Sequence, residues 1–112
     1  MSGSASEARV VLITHPVEGA AAFAREIVER RLAACVNLAE VTSVYRWGGA
    51  VESEPERLLV VKTGADRLAE LERFLAGHHP YELPECVALA PDRVEPRYLD
   101  WLLGETASGS EA

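Results

Sequence analysis

The chain has 112 residues, a length that suits one domain, and 48% of them are hydrophobic, which is enough to form a buried core. Its formal net charge of −7 argues against a nucleic-acid partner, since a phosphate backbone requires a basic surface. There is no long apolar span and no secretory signal, and Cys35 and Cys86 are far apart in sequence. We therefore expect a cytoplasmic protein with two reduced thiols and no membrane partner.

The first half of the sequence predicts a strand, a helix and a second strand. Residues 9–14 form a short continuous apolar run, as in a central strand. Pro16 suits the first position of a helix, and apolar residues then recur at helical spacing to about Ala34. The second strand, from Cys35 to Trp47, would extend for roughly 40 Å, about twice the usual length of a strand.

A third strand is predicted to return antiparallel to this long second strand. Gly48-Gly49 supplies the positive φ angles that a two-residue hairpin turn requires. The alternation of the third strand is lost around residues 53–56, where Pro55 cannot donate a ladder hydrogen bond. We expect a bulge or a sheet edge there, after which residues 58–63 resume as a core strand.

The rest of the chain predicts a second helix and a rigid loop. The helix covers about residues 66–76, with Thr63 and Asp66 as a capping box and Gly77 as its terminator. Two prolines stiffen the loop at residues 78–84, because each also keeps the preceding residue out of the helical region.

A fourth strand at residues 86–90 and a short helix at residues 96–103, ended by Gly104, complete the pattern. The order β-α-β-β-α-β with an added C-terminal helix predicts an α+β fold of the ferredoxin-like type, with two helices on one face of the sheet. The expected organisation is a disordered tail, a single domain and a second disordered tail, at residues 1–8, 9–104 and 105–112.

The long middle hairpin would protrude beyond the helices of such a domain. Its tip would expose aromatic surface and strand edges, which invite aggregation unless another molecule covers them. The simplest cover is a second copy of the same chain. We therefore predict an oligomer, with the hairpin residues Val44, Tyr45, Arg46 and Trp47 at the interface between subunits.

Five segments of the sequence also match, in order, the motifs of a known family: Leu-Ala-Ala-Cys-Val-Asn (32–37), Val-Thr-Ser-Val-Tyr-Arg-Trp (41–47), Leu-Leu-Val-Val-Lys-Thr (58–63), His-Pro-Tyr-Glu-Leu-Pro-Glu (79–85) and Tyr-Leu-Asp-Trp-Leu (98–102). They resemble the CutA family of divalent-cation tolerance proteins. The resemblance implies a ferredoxin-like protomer in a tight homotrimer, whose hairpins extend sheets between subunits. It also implies a cytosolic role in the response to metal ions, with copper binding.

The sequence departs from that family at two points of the hairpin. Leu38-Ala39-Glu40 replaces the usual Pro-Gly bend and is one residue shorter. Gly49-Ala50 stands where the family often has Gly-Lys, which removes a positive charge near the hairpin tip.

One hypothesis for the chemistry is a metal site formed by Cys35, His79 and Glu82. Imidazole and thiolate ligands would suit copper or zinc. The alternative assigns each residue a structural role: His79 orients its loop, Cys35 packs in the core and Glu82 pairs with a cation.

A second hypothesis is a ligand cleft where subunits meet, formed by Lys62, Tyr45, Tyr81 and His79. A cleft with this cationic and aromatic lining would bind a small anion or a nucleotide, as a sensor analogous to the trimeric PII-type signalling proteins. A third reading is a trimeric scaffold or anchor for another protein. No catalytic motif is present, so we do not expect an enzyme.

Overall fold

The structure is a computed structural model that describes residues 3–107. Its elements in chain order are β1 (Ala8–Pro16), α1 (Ala20–Glu29), β2 (Cys35–Trp47), β3 (Ala50–Gly64), α2 (Leu68–His78), β4 (Val87–Leu89) and α3 (Pro96–Thr106). The strands form one antiparallel sheet in the order β2-β3-β1-β4. This confirms the predicted ferredoxin-like fold with an additional C-terminal helix. Within the described residues, no helix has the length and hydropathy to cross a membrane.

The core lies between one face of the sheet and the helices α1 and α2. Alternate residues of the two central strands point into it and are fully buried, which follows from the two-residue period of a strand. The central strands contribute Val11, Ile13, Leu59 and Val61, and the helices contribute Phe23, Ile27, Leu71 and Phe74. Each such side chain stabilises the fold by about 1.5–3 kcal/mol relative to an exposed position.

The opposite face of the sheet, called the open sheet face below, is covered towards its ends but not in its middle. At one end α3 packs Leu99 and Leu102 against Ala8, and towards the other end Tyr81 hydrogen-bonds the buried Glu56. Further along the strands the register aligns a second set of apolar residues, all partly exposed: Val10, Leu12, Leu58, Val60, Val87 and Leu89. The protomer thus presents an apolar sheet face without a helical cover.

The β2–β3 hairpin is continuous from Cys35↔Lys62 to Trp47↔Ala50. Gly48 and Gly49 form its turn with φ of 60° and 84°, as predicted. The bulge expected near Pro55 is absent from this register, whereas the expected edge is present because β1 pairing ends at Glu56. The carbonyl of Lys62 accepts a hydrogen bond from the amide of Ala34 and therefore faces β2. The direction of the backbone N–H and C=O groups alternates along a strand, so the nitrogen of Pro55 faces the opposite side, where β1 has already ended. The missing N–H therefore interrupts no ladder.

The first helix is shorter than the sequence predicted. Pro16 is the last residue of β1, and α1 begins only after Gly19, whose φ of 82° turns the chain. The helix ends at Glu29 rather than near Ala34, because Arg31 adopts a positive φ of 59° that stops the helix and directs the chain into β2.

The later helices begin or end at other residues than predicted. The Thr63 hydroxyl donates a hydrogen bond to the carbonyl of Leu32 and does not cap α2. A 3₁₀ turn at Ala65–Arg67 precedes α2. Neither predicted terminator stops its helix: α2 continues past Gly77 to His78, and α3 past Gly104 to Thr106. A glycine ends a helix only where the chain adopts positive φ, and neither residue does.

The ends of the chain contain structure within the predicted tails. A 3₁₀ helix at Ala5–Glu7 has a capping box from Ser4, and Ala8 is buried. At the other end α3 includes residues 105 and 106, while residues 108–112 of the predicted tail lie outside the described part of the chain.

Candidate functional site

The side chain of His79 connects the loop after α2 to strand β1. Its Nδ1 accepts a hydrogen bond from the amide of Tyr81 at 3.0 Å, so the proton is on Nε2, which donates to the carbonyl of Thr14 at 2.8 Å. Burial of the ring lowers its pKa below the ordinary value for histidine. Each ring nitrogen has a partner within the protomer, so His79 orients the loop and has no free lone pair for a metal ion.

The loop positioned by His79 places Tyr81 opposite the β2–β3 hairpin. The Tyr81 hydroxyl donates to Oε2 of Glu56 at 2.6 Å, and the Tyr45 hydroxyl donates to Oε1 of Glu54 at 3.0 Å. Burial, followed by the bond to Glu56, raises the pKa of Tyr81 well above its usual range. Both phenols therefore remain protonated donors, and they hold two carboxylates at fixed positions.

A cleft of about 730 Å³ opens between the hairpin and this loop. It is called the acidic cleft below, because five carboxylates line it beside Tyr45, Trp47 and Tyr81: Glu52, Glu54, Glu56, Glu82 and Glu85. Burial, followed by the charge of Glu56, raises the pKa of Glu85. The cleft has the negative field and the aromatic walls to attract a cation.

Two of the four residues predicted to form a ligand cleft line the acidic cleft, whose charge is opposite to the one expected. Tyr45 and Tyr81 share the cleft, and His79 lies beside Tyr81 as its support. Lys62 does not line it, since it pairs with Cys35 at the other end of the hairpin and its Nζ hydrogen-bonds the Asn37 side chain. Among the described residues that line the cleft there is no lysine, arginine or histidine.

The predicted metal ligands do not come together within one protomer. Cys35 is at the start of β2, opposite Lys62, with its Sγ 3.9 Å from Oδ1 of Asn37. Glu82 lines the acidic cleft, and both nitrogens of His79 have partners. Across residues 3–107, no group of three His, Cys, Asp or Glu side chains is placed to hold a metal ion.

The tip of the hairpin exposes large apolar side chains. Val44 is 68% exposed, Trp47 55% and Tyr45 38%, and Arg46 is also exposed. Such a surface is typical of a site that contacts another molecule. The assignment of these four residues to a subunit interface stays a prediction.

The family motifs can now be compared with known proteins. A family model described as CutA1 divalent ion tolerance protein matches residues 9–105. The chain belongs to the CutA family. A relative from Thermus thermophilus, named divalent-cation tolerance protein CutA, is 46% identical over 99 residues, which cover 87% of this chain and 96% of the relative.

Two further CutA proteins extend the comparison. The mouse protein CutA is 41% identical over 112 residues, and the match covers 98% of this chain but only 62% of the mouse protein. A structure described as the PII-like protein CutA from Nostoc superposes with a TM-score of 0.84 at 38% identity, covering 88% of this chain and 96% of the other. The similarity agrees with the ferredoxin-like architecture.

Sequence reasoning missed the carboxylates of the cleft, although part of the signal was present. Glu52, Glu54 and Glu56 alternate along β3, so the two-residue period of a strand puts them on one face. This is the same face as Tyr45, because Tyr45 pairs directly with Glu52. Glu82 and Glu85 reach the cleft through the path of the loop, which no periodic pattern reveals.

The role of His79 leads to a prediction about pH. The pKa of His79 is lowered in the folded state, from 6.5, so the unfolded chain takes up a proton first as the pH falls. The free energy of unfolding should therefore decrease as the pH falls below about 6.5 and level off below the lowered folded value. Urea unfolding at a series of pH values measures this slope.

Two variants assign the slope to His79. His79→Gln should be less stable than the wild type at neutral pH and should lose most of the slope in that window. His78→Gln, at the exposed neighbouring position, should keep it. An unchanged slope in His79→Gln would show that other groups cause it.

Proposed function

We propose that this CutA protein acts as a cytosolic homotrimer in the response and tolerance to divalent metal ions, and that the acidic cleft is where the cations collect. The observation that carries the proposal is the convergence of five carboxylates on one cleft of about 730 Å³. The names of the relatives point in the same direction, since the Thermus protein is named for divalent-cation tolerance.

The proposed trimer is supported by two uncovered surfaces. One is the open sheet face, where Val87 and Leu89 are 47% and 48% exposed. The other is the hairpin tip with Trp47 and Val44. Burial of both in an assembly stabilises it by roughly 25 cal/mol for each Å² of apolar surface removed from water.

The donor types restrict the metal chemistry. Carboxylate oxygens are hard ligands that suit magnesium, calcium and manganese, whereas copper and zinc favour imidazole and thiolate. Since no three ligands in the described protomer can hold an ion, we propose that a specific centre for copper or another divalent metal requires groups from a neighbouring subunit. A single protomer would only concentrate hydrated cations near the cleft by its charge.

Calorimetric titration of tag-free protein with copper(II), zinc(II) and manganese(II) tests the proposal. We expect saturable binding that the double variant Glu52→Gln/Glu54→Gln weakens by about tenfold, because two of the five cleft carboxylates lose their charge. The matched control is the double variant Glu18→Gln/Glu72→Gln, which removes two charges at exposed positions outside the cleft.

Three further results bear on the same titration. Substoichiometric or millimolar binding of all three metals would contradict a role for the cleft in cation binding. Equal weakening in Glu18→Gln/Glu72→Gln would show that the effect comes from the net charge of the protein and not from the cleft. Loss of copper binding in Cys35→Ser alone would point instead to the thiol at the start of β2.

The second candidate is a PII-like sensor of a small anionic metabolite or nucleotide. The likeness to the Nostoc protein described as PII-like favours it, and the cleft has the volume of a small-molecule site. Because this lining is acidic, an anion would need a cation contributed by a neighbouring subunit, and we propose the neighbour's Lys62 for that role. Thermal-shift screening discriminates: a nucleotide that raises the melting temperature, with the effect lost in Lys62→Ala, supports sensing.

A further inference from the structure

A second groove, of about 510 Å³, lies on the helical side of the protomer, between the end of α1 and the outer side of α2. It is called the arginine groove below, because four arginines line it: Arg30, Arg31, Arg67 and Arg73. The chain has only 11 lysines and arginines in total and a net charge of −7. More than a third of its basic residues thus converge on one groove of an acidic protein.

The carboxylates near this groove leave part of its positive charge unneutralised. Glu29 lines the groove but pairs at 3.1 Å with Arg25, which does not. Arg73 is exposed and has no ion pair with any residue in the range 3–107. Nη1 of Arg31 donates to the backbone carbonyl of Glu105 at 3.0 Å and lies 3.8 Å from its carboxylate, so only part of this guanidinium is engaged. Arg73, followed by Arg31, therefore has the most capacity for an external anion.

The base of the groove is rigid, and it stores backbone strain. Arg31 has φ of 59°, the only positive φ of a non-glycine residue in the described chain, at a cost of roughly 1–2 kcal/mol. The carbonyl of Arg31 accepts a hydrogen bond from Nε of Arg67 at 3.3 Å. Arg67 is itself only 7% exposed and forms an ion pair with Glu70 at 2.8 Å. Strained residues held by their surroundings are found preferentially at functional sites.

Aromatic contacts fix the side of the groove that faces α2. The guanidinium of Arg30 lies 4.9 Å above the ring centre of Phe74, and Nε and Nη2 of Arg30 both bond Glu26. His78 stacks on Phe74 with ring centres 4.3 Å apart. Arg30 is therefore oriented before any ligand arrives, which reduces the entropy lost on binding.

We propose that the arginine groove binds a phosphate monoester. A planar guanidinium presents parallel N–H donors that match two phosphate oxygens, and a phosphate carries enough charge to bridge Arg31 and Arg73. The open mouth of the groove allows the phosphate to be part of a larger molecule. This site is separate from the acidic cleft and does not depend on the function proposed for that cleft.

An NMR titration of the full-length protein with adenosine 5′-monophosphate tests the proposal, with adenosine as the control that lacks the phosphate. The nucleotide should shift backbone amides of residues 30–32 and 67–78, and adenosine should shift none of them. Arg73→Gln should weaken binding about tenfold, since charged hydrogen bonds are lost, and Arg73→Lys should weaken it less. Titration with O-phosphoserine shows whether the phosphate alone is sufficient or the nucleoside adds affinity.

The matched control is Arg93→Gln, which removes the same charge at an exposed position between β4 and α3, outside the groove, and should bind like the wild type. Equal shifts with adenosine would overturn the proposal. So would shifts confined to the acidic cleft, or equal weakening in Arg93→Gln and Arg73→Gln. Unfolding midpoints of each variant exclude loss of structure as the cause.

Discussion

Val60→Glu is expected to convert the assembled protein into folded monomers. Val60 lies on the open sheet face, opposite Leu12 of β1 and Asn37 of β2, and it is only partly covered in the protomer. In a monomer the new carboxylate would reach water. In a trimer that buries this face it would be an unpaired charge in each subunit, which costs several kcal/mol per ion. Sedimentation velocity at low micromolar concentration should show three chains for the wild type and one for the variant.

The control for this experiment is Val28→Glu, the same substitution on the outer side of α1, where Val28 is 38% exposed. It should leave the number of associated chains unchanged. Circular dichroism should show that both variants retain their secondary structure. A trimeric Val60→Glu variant would show that the open sheet face lies outside the interface, and a monomeric wild type would contradict the proposed assembly.

The sequence predicts the long hairpin well because two strong local signals coincide there. Gly48 and Gly49 adopt the positive φ that other residues avoid, and the residues from Cys35 to Trp47 favour a strand. The ends of the helices are predicted less well. Pro16 fits a helix start and a strand end equally, and only the positive φ of Gly19 decides between them.

The site was harder to predict because it depends on which residues meet across the sheet. The motifs themselves single out Tyr45 and Tyr81, and both residues line the acidic cleft. Lys62 appeared equally suitable, but the register puts it beside Asn37, near the far end of the hairpin from Tyr45. The charge of the cleft thus depends on tertiary placement and cannot be read from the motifs alone.

Leu59→Ala and Leu58→Ala, at adjacent positions of β3, should have different effects because their side chains point to opposite faces of the sheet. Leu59 is fully buried among the core residues, so its truncation should lower the free energy of unfolding by about 3 kcal/mol. Leu58 lies on the open sheet face, and its truncation should cost the isolated protomer only about 1 kcal/mol.

Urea unfolding at several protein concentrations separates the two effects. Assembly makes the unfolding midpoint depend on protein concentration, because dilution favours separate chains. Leu59→Ala should lower the midpoint by a similar amount at every concentration, since it weakens each protomer. Leu58→Ala should lower it most at low concentration, where the weakened assembly dissociates first. If the two variants behaved alike, Leu58 would contribute to the protomer alone, and the open sheet face would have no part in the assembly.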